Sequence, residues 1–506
     1  MTHVDVLIVG AGISGVSAAY HLKESCPSKS YAILEGRAAI GGTWDLFRYP
    51  GIRSDSDMHT LGFRFKPWRE AKAIADGPAI RKYVNETADE NGITEHIHFQ
   101  HRVLSASWST DAARWTVAAQ RTDTDEAVQF TCNFLFMCGG YYSYEKGHTP
   151  EFAGLEDFKG QVIHPQHWPE DLQYQGKKVV VIGSGATAMT LVPAMAANGA
   201  QVTMVQRSPT YVVSRPDEDK IANTLRKWLP EKWAYAITRF KNVQMQRFTY
   251  HRTRVAPQKV KATLLALVRK HLGPDYDVDK HFTPSYNPWD QRLCLVPNAD
   301  LFTAINDGNA VVETEQIDRI TESGLRLASG RELPADIIVT ATGLNLVVLS
   351  GVEITVDGDR VNFPDTYSYK GMMYSGVPNM AQTFGYINAS WTLRADLTSE
   401  YVCRVLNHMD ELGVSQCTPR LRPEDAQMQA LPWITDFSAG YMQRVMHLFP
   451  KQGDSGPWRN TQDFAKDKKM IRKAPLEDGA LIFGQSQAAA STAKSAAADA
   501  SARRAA

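Results

Sequence analysis

The sequence predicts an α/β chain of two parallel-sheet units, the second carrying a helical insertion. Three observations predict it. The N-terminus reads as a short β-branched strand, Val4 to Val9, then Gly10-Ala11-Gly12-Ile13-Ser14-Gly15, then a helix from Val16 to Lys23. The device returns as Lys178-Val179-Val180-Val181-Ile182 followed by Gly183-Ser184-Gly185-Ala186-Thr187-Ala188. From Asp217 to Leu272 the chain then turns rich in Lys, Arg, Trp, Tyr and Phe at helical spacing, with few acids after Glu231. In each glycine turn small residues let the backbone approach a pyrophosphate, and the helix start offers unpaired N–H groups and a positive dipole end. The two units are therefore expected to be dinucleotide-binding, Rossmann-like domains.

In the first unit the next strand, Tyr31-Ala32-Ile33-Leu34, ends in Glu35. A carboxylate there can accept both hydroxyls of an adenosine ribose. Gly10, Gly12 and Gly15 with strand, helix and terminal acid in register make a far more specific signal than the glycines alone; a tight turn in another α/β unit is the competing reading. Gly41-Gly42-Thr43-Trp44 and Arg48-Tyr49-Pro50-Gly51-Ile52-Arg53-Ser54-Asp55 follow as loop chemistry. The indole and phenol either stack on a ligand ring and donate hydrogen bonds, or simply pack a surface loop. Arg102 to Trp108 and Trp115 to Ala119 alternate as a hairpin, and Phe134 to Tyr141 is a strand closing on small residues.

The stretch between the sites holds Phe158, Gly160, His164 and Trp168-Pro169. Pro165 disfavours a regular helix, and no set of neighbouring ligands completes a metal site, so a lone structural histidine is the plain reading of His164. In the second turn Ala188 replaces the third glycine. The strand Gln201 to Val205 ends in Gln206-Arg207-Ser208, with no acid where a ribose diol would need one. Arg207 can fork onto a 2′-phosphate, and Thr187 and Ser208 can add hydroxyl donors, so the second nucleotide is expected to be NADPH rather than NADH. An ordinary surface arginine is the alternative. The basic segment either lies on a membrane or acidic partner, or covers a substrate channel with a solvated basic face, which is the preferred reading.

At 506 residues the chain is expected to hold more than one domain. Hydrophobic residues at 43% and charged residues at 22% are ordinary for a globular protein. Lys+Arg 55 balance Asp+Glu 55, so there is no global basic excess and no nucleic-acid partner is expected. Six scattered cysteines form no C-x-x-C pair, which argues against a zinc site, a redox dithiol or a metal, and suggests reduced thiols in a cytoplasmic protein. The N-terminal apolar run reads as a strand rather than a signal segment, and no stretch is apolar enough to span a bilayer.

Gly10, Gly12 and Gly15 with Glu35 resemble the FAD site of flavoproteins with two dinucleotide domains. Gly41-Gly42-x-Trp44, Tyr49-Pro50-Gly51 and Asp55 resemble the longer fingerprint of type I Baeyer–Villiger monooxygenases, and Phe158-x-Gly160-x-x-x-His164-x-x-x-Trp168-Pro169 their shorter one. The related signature of flavin-containing N- and S-monooxygenases usually departs at the tryptophan-proline end. The run Pro288-Trp289-Asp290-Gln291-Arg292-Leu293-Cys294 is most similar to the ethionamide-activating branch, which takes open-chain ketones and sulfides.

This resemblance implies FAD on the first site, with Gly42, Trp44, Asp55 and Val103 near it, and NADPH on the second, with Gly183, Gly185, Thr187, Ala188, Arg207 and Ser208. It implies that Phe158, Gly160, His164 and Trp168 couple nicotinamide binding to domain motion, and that Arg292 is the active-site arginine. Many relatives carry Lys where Gln291 stands. A C4a-peroxyflavin, formed from NADPH and dioxygen, would attack a ketone to give an ester or lactone, with Arg292 as fixed positive charge and Asp55 orienting it. A flavin N/S-monooxygenase and a non-oxygenating NADPH-dependent flavin reductase remain the alternatives. The implied layout is an FAD domain at 1–145 and 350–487, an NADP domain at 146–214 and 294–349 and the insertion at 215–293, while 488–506, Ala/Ser-rich with no apolar face, reads as a disordered tail.

Overall fold

A computed structural model describes residues 2–484; the expectation for 488–506 lies outside them. The first strand, Thr2–Val9, is sandwiched in parallel between Tyr31–Leu34 and Ala127–Met137. Its two faces feed separate apolar clusters, Val6 and Ile8 on one side and Leu7 and Val9 on the other. That explains a near-continuous apolar run: a parallel strand covered on both faces has no polar side to show. The hairpin His101–Ser109 with Arg114–Arg121 extends this sheet in antiparallel register, and Glu353–Val356 joins its edge from late in the chain.

The second sheet is parallel throughout. Its order is Ala310–Thr314, Gln201–Gln206, Lys178–Ile182, Ile337–Thr340 and Gln161–Ile163. The chain passes between the sheets twice, and the two passages pair with each other: Tyr142–Gly147 lies antiparallel to Leu344–Leu346. Two Rossmann-like domains joined by paired crossings, with a helical insertion in the second, are the architecture.

The insertion is bracketed by Val212–Arg215 pairing in parallel with Cys294–Pro297. Between them stand helices Lys220–Trp228, Glu231–Val255, Pro257–Leu272 and Val278–Phe282. Asp219 caps the first by accepting from the Ile221 and Ala222 N–H groups, both at 3.0 Å. Pro257, at the start of the third, separates it from the long second helix, since proline suits a first turn and not an interior.

The loop after the first turn belongs to both domains. Leu46, Phe47 and Tyr49 leave the first sheet and enter the apolar core of the second. Gly51, at φ +76°, allows this: a Cβ there would meet the Ala194 Cβ at 2.6 Å, on the helix Ala186–Ala197. The Tyr49-Pro50-Gly51 step is thus one point where this loop packs closely on the second domain.

Candidate active site

A cavity of about 1280 Å³ opens at the carboxyl ends of both sheets' strands. Parallel sheets place their ligand crevice there, and the volume exceeds the roughly 300–1,000 Å³ of a pocket for one drug-sized ligand. Gly10, Gly12, Glu35, Gly42, Trp44, Asp55, Val103, Gly183, Gly185, Thr187, Arg207, Ser208 and Arg292 all line it. Gly15 and Ala188, expected with the cofactor-binding set, do not. A Cβ on Gly15 would fall on the Gly10 carbonyl, and Ala188 is fully buried, so both positions set how closely helix meets strand.

The two turns share one local physics. Gly12 and Gly185 are the N-caps of helices Ile13–Ser25 and Ala186–Ala197, and neither helix has a side-chain cap or an acid in its first turn. Their first N–H groups are left for something else, as an anionic ligand would require. A Cβ on Gly185 would meet nothing within 4 Å, and one on Gly12 only the Gly42 backbone at 3.6 Å. The protein leaves that space open over both helix starts, and two pyrophosphates fit the pair of cradles. Gly10 and Gly183 differ: at φ +100° and +134° they turn the chain against Gly139 and Ala341.

Glu35 is buried, its Oε2 accepting from the Ala11 N–H at 2.7 Å and its Oε1 from the Arg37 N–H at 2.9 Å. Burial raises its carboxyl above the ordinary value, against the pull of those two N–H groups and the Arg37 charge. Each oxygen keeps lone pairs for a ribose diol. Sequence reasoning missed the neighbouring charge cluster, in which buried Asp45 holds Arg37, Arg48 and Arg81. Arg37 sits two residues past Glu35 and lines the cleft, a position the motif's own spacing marks. Across the cleft Arg207 is exposed and has no ion-pair partner among the described residues, although carboxylates hold many of the chain's other arginines.

Arg292 pairs with Asp55. A third of its side chain is accessible, and that third faces the cleft. Asp55 first, with Tyr441, Tyr141 and Tyr142 behind it, raises the guanidinium's pKa against the opposing effect of burial, so the group stays charged at any working pH. The Tyr141 and Tyr142 hydroxyls lie 3.0 Å apart, and burial pushes Tyr441 up to about 12. These phenols are neutral donors beside a fixed cation. They too were missed, because Tyr441 is far from Arg292 in sequence. The loop before Arg292 is held hard: Trp289 sits at φ +70°, and Asp290 accepts from Arg254 at 3.0 Å and from the Asn287 N–H at 3.0 Å. Backbone held in a sparsely populated region marks a side chain whose aim matters.

Phe158, Gly160, His164 and Trp168 lie outside the cleft lining. Phe158 is buried, and a Cβ on Gly160 would strike its ring. His164 caps a short 3-10 turn, Pro165–His167: its Nδ1 accepts from the Gln166 N–H at 3.2 Å while Nε2–H donates to the Gly343 carbonyl at 3.1 Å. Its ring also fills the space beside Gly147. Gly147 and Gly343 belong to the two interdomain passages, so one imidazole touches both. Trp168 is half-buried, edge-on to Tyr174.

The profile of flavin-binding monooxygenase-like proteins matches residues 73–350, and that of the NAD(P)-binding Rossmann-like domain matches 8–77. The FAD-containing monooxygenase EthA of Mycobacterium tuberculosis is 56% identical over 484 residues, covering 96% of this chain and 98% of that protein. EthA of Mycolicibacterium smegmatis is 54% identical over 494 residues, covering 97% and 99%. Among solved structures, an oxidized steroid monooxygenase bound to NADP superposes with a TM-score of 0.78 at 22% identity, over 96% of this chain and 100% of that one. An open cyclohexanone monooxygenase gives 0.73 at 19%, over 96% and 100%. At such identities the two structures establish the fold, whereas the EthA relatives and the 73–350 match establish kinship. The chain belongs to the flavin-binding monooxygenase-like family and is a flavoprotein monooxygenase built on two Rossmann-like domains.

Proposed function

We propose that the protein is an FAD-containing, NADPH-dependent Baeyer–Villiger monooxygenase. It would insert one atom of dioxygen next to a ketone carbonyl to give an ester or lactone, and oxidise sulfides as well. The observation that carries this reading is the Arg292–Asp55 pair, set in the cavity that both glycine turns line. We assign FAD to the first turn, within 1–145 and 350–487, and NADPH to the second, within 146–214 and 294–349.

Gly12 leaves room for the flavin nucleotide's pyrophosphate and Glu35 accepts its ribose hydroxyls, with Val103 along the adenine side. Gly185 does the same for the nicotinamide nucleotide, and the unpaired Arg207 meets its 2′-phosphate beside Ser208. When bound at the site Gly12 and Glu35 would hold, FAD would supply the redox and oxygen-activating chemistry, with NADPH as the electron donor. Arg292 supplies the charge that stabilises developing oxyanions in the cleft, and Asp55 fixes its direction. The tyrosine cluster keeps neutral O–H groups beside it. His164, Trp168 and the paired passages hold the two halves in a relation that lets the nicotinamide approach and then leave the reacting centre.

Replacing Arg292 with alanine tests the assignment. The variant should fold and keep FAD, because Gly12 and Glu35 hold that cofactor without it. Ester formation should fall by about 10²–10³-fold, the loss seen when one oxyanion donor is removed. NADPH oxidation should continue and end in hydrogen peroxide. Lysine should rescue poorly, since it keeps the charge and loses the planar fork. Ketone conversion at the wild-type rate in Arg292→Ala would remove the assignment. Sulfoxide formation in the wild type with no ester from any ketone would point to the N/S-monooxygenase chemistry instead.

A further inference from the structure

The formal net charge of zero hides a strong asymmetry. Between Lys220 and Leu272 stand thirteen Lys and Arg residues and one acid, Glu231, a formal +12; the rest of the chain therefore carries −12. The same segment exposes large apolar side chains. Trp228 is 82% accessible, Trp233 67%, Phe240 67% and Phe248 60%, with Ile237 and Val255 also exposed. At 3.6 residues per turn Trp233, Ile237, Phe240, Phe248 and Val255 fall within an arc of roughly 80° on the helix Glu231–Val255 and span roughly 33 Å along it. The opposite face is the buried one, through Ala234, Tyr235, Thr238, Arg239 and Val243. The helix thus buries one mixed face against the protein and turns an apolar stripe outward.

Lys232 and Arg252 flank the stripe on its two sides, and Lys227 stands beside Trp228. None of the three has an ion-pair partner among the described residues, whereas Arg239, Lys241 and Arg254 on the same helix are each paired with a carboxylate. Free cations beside exposed Trp and Phe are what the headgroup boundary of an anionic bilayer selects, with rings at the level of the headgroups and charges on the phosphates. We propose that the outward face of Lys220–Trp228 and Glu231–Val255 is a docking surface for an anionic lipid bilayer, on which the protein rests without crossing it. Among the described residues no helix is long and apolar enough to span one. Other occupants fit less well. A second copy joined face to face would oppose one +12 segment to another. The sequence 485–506 holds three basic residues and one acid, and so brings no complementary charge.

The test mixes the FAD-loaded full chain with vesicles of phosphatidylglycerol and phosphatidylcholine in equal parts, or of phosphatidylcholine alone, and measures the sedimented fraction. The expected result is partition onto the anionic vesicles, reversed by salt. A Trp233→Ser, Phe240→Ser, Phe248→Ser variant should lose partition by about tenfold or more, as should Lys232→Glu with Arg252→Glu. Both variants should retain FAD and vesicle-free NADPH oxidation, because all five positions are exposed and outside the cleft lining. Wild-type protein that stays in the supernatant with anionic vesicles overturns the proposal. So does a triple-serine variant that sediments like wild type, or charge reversals without effect. A dimer seen by sedimentation velocity and lost in the triple-serine variant, with no vesicle binding, assigns the stripe to a second copy instead. None of these outcomes depends on which substrate the enzyme oxidises.

Discussion

Arg207 follows the strand Gln201–Gln206 and faces the cleft with no carboxylate to hold it among the described residues. An unpaired guanidinium at a nucleotide site is poised for an anion. Arg207→Ala should weaken NADPH by about 1.5–3 kcal/mol, the range for hydrogen bonds to charged groups, and leave NADH nearly unchanged. Binding titrations of both nucleotides check this, and equal losses for the two would remove the phosphate-reading role. The cleft-lining positions were legible because local chemistry singles them out, an acid at the end of one strand and an arginine after another. What the motif alone conceals is the division of labour among its glycines. Gly10 and Gly12 look alike in sequence, yet a Cβ on Gly10 meets the Gly139 backbone and one on Gly12 meets nearly open space. The difference comes from a strand that ends more than 120 residues later. A side chain at Gly10 is therefore an injury to the sheet, and only Gly12 reports on the ligand.

Elements with a regular period were equally legible. The two parallel strands before the glycine turns, the hairpin after Arg102 and the basic helical segment all follow from periodicity and composition. The pairing of Tyr142–Gly147 with Leu344–Leu346 was not, because it joins short segments about 200 residues apart with a shifted register. His164 is where that pairing meets the linker. Burial lowers its pKa, which keeps the ring neutral, one nitrogen accepting and the other donating. His164→Ala should strand the Gln166 N–H, leave the Gly343 carbonyl only the His148 N–H at 3.0 Å, and open a void beside Gly147, costing about 1–3 kcal/mol at the seam. FAD should stay bound, while flavin reduction by NADPH and product formation decline together. Stopped-flow reduction and product yield measure the two. A variant that loses thermal stability alone, with both rates intact, would make His164 a packing residue and no more.

At the scale of the whole molecule the two domains are tied by contacts that no local pattern announces. Gly51 seats the first domain's loop on the second domain's helix, and Arg53 pairs with Asp300. The insertion reaches back to the first domain through Arg239, which donates to the carbonyls of His59 at 2.9 Å, Thr60 at 3.1 Å and Gly62 at 2.7 Å. It also lies 3.6 Å from Asp396, itself buried and bonded to Ser17 at 3.0 Å and His21 at 3.4 Å. Four segments spread over about 380 residues converge on this one ion pair, which is why the sequence shows a basic helix and conceals the anchor within it. Burial alone would raise the Asp396 carboxyl; hydrogen bonding and charge from His21, with the charge of Arg239 and the Ser17 hydroxyl, outweigh it and hold the carboxyl below its ordinary value. A group depressed in the folded state contributes stability above its unfolded pKa, about 3.9 for Asp, and that contribution is lost as pH falls through the folded value. Arg239→Ala removes one of the charges that depress it and leaves three carbonyls and a buried carboxylate short of a partner. The expected cost is about 3–5 kcal/mol near neutral pH, the range for breaking one side of a buried pair. The acid limb of the stability curve should move to higher pH, because Asp396 then protonates more readily in the folded protein. Thermal unfolding at neutral pH and an acid titration of the same variant read the two effects separately. A melting temperature within a degree or so of wild type, with the acid limb unmoved, would mean that the insertion is held to the first domain by its apolar contacts and that Arg239 is dispensable to the seam.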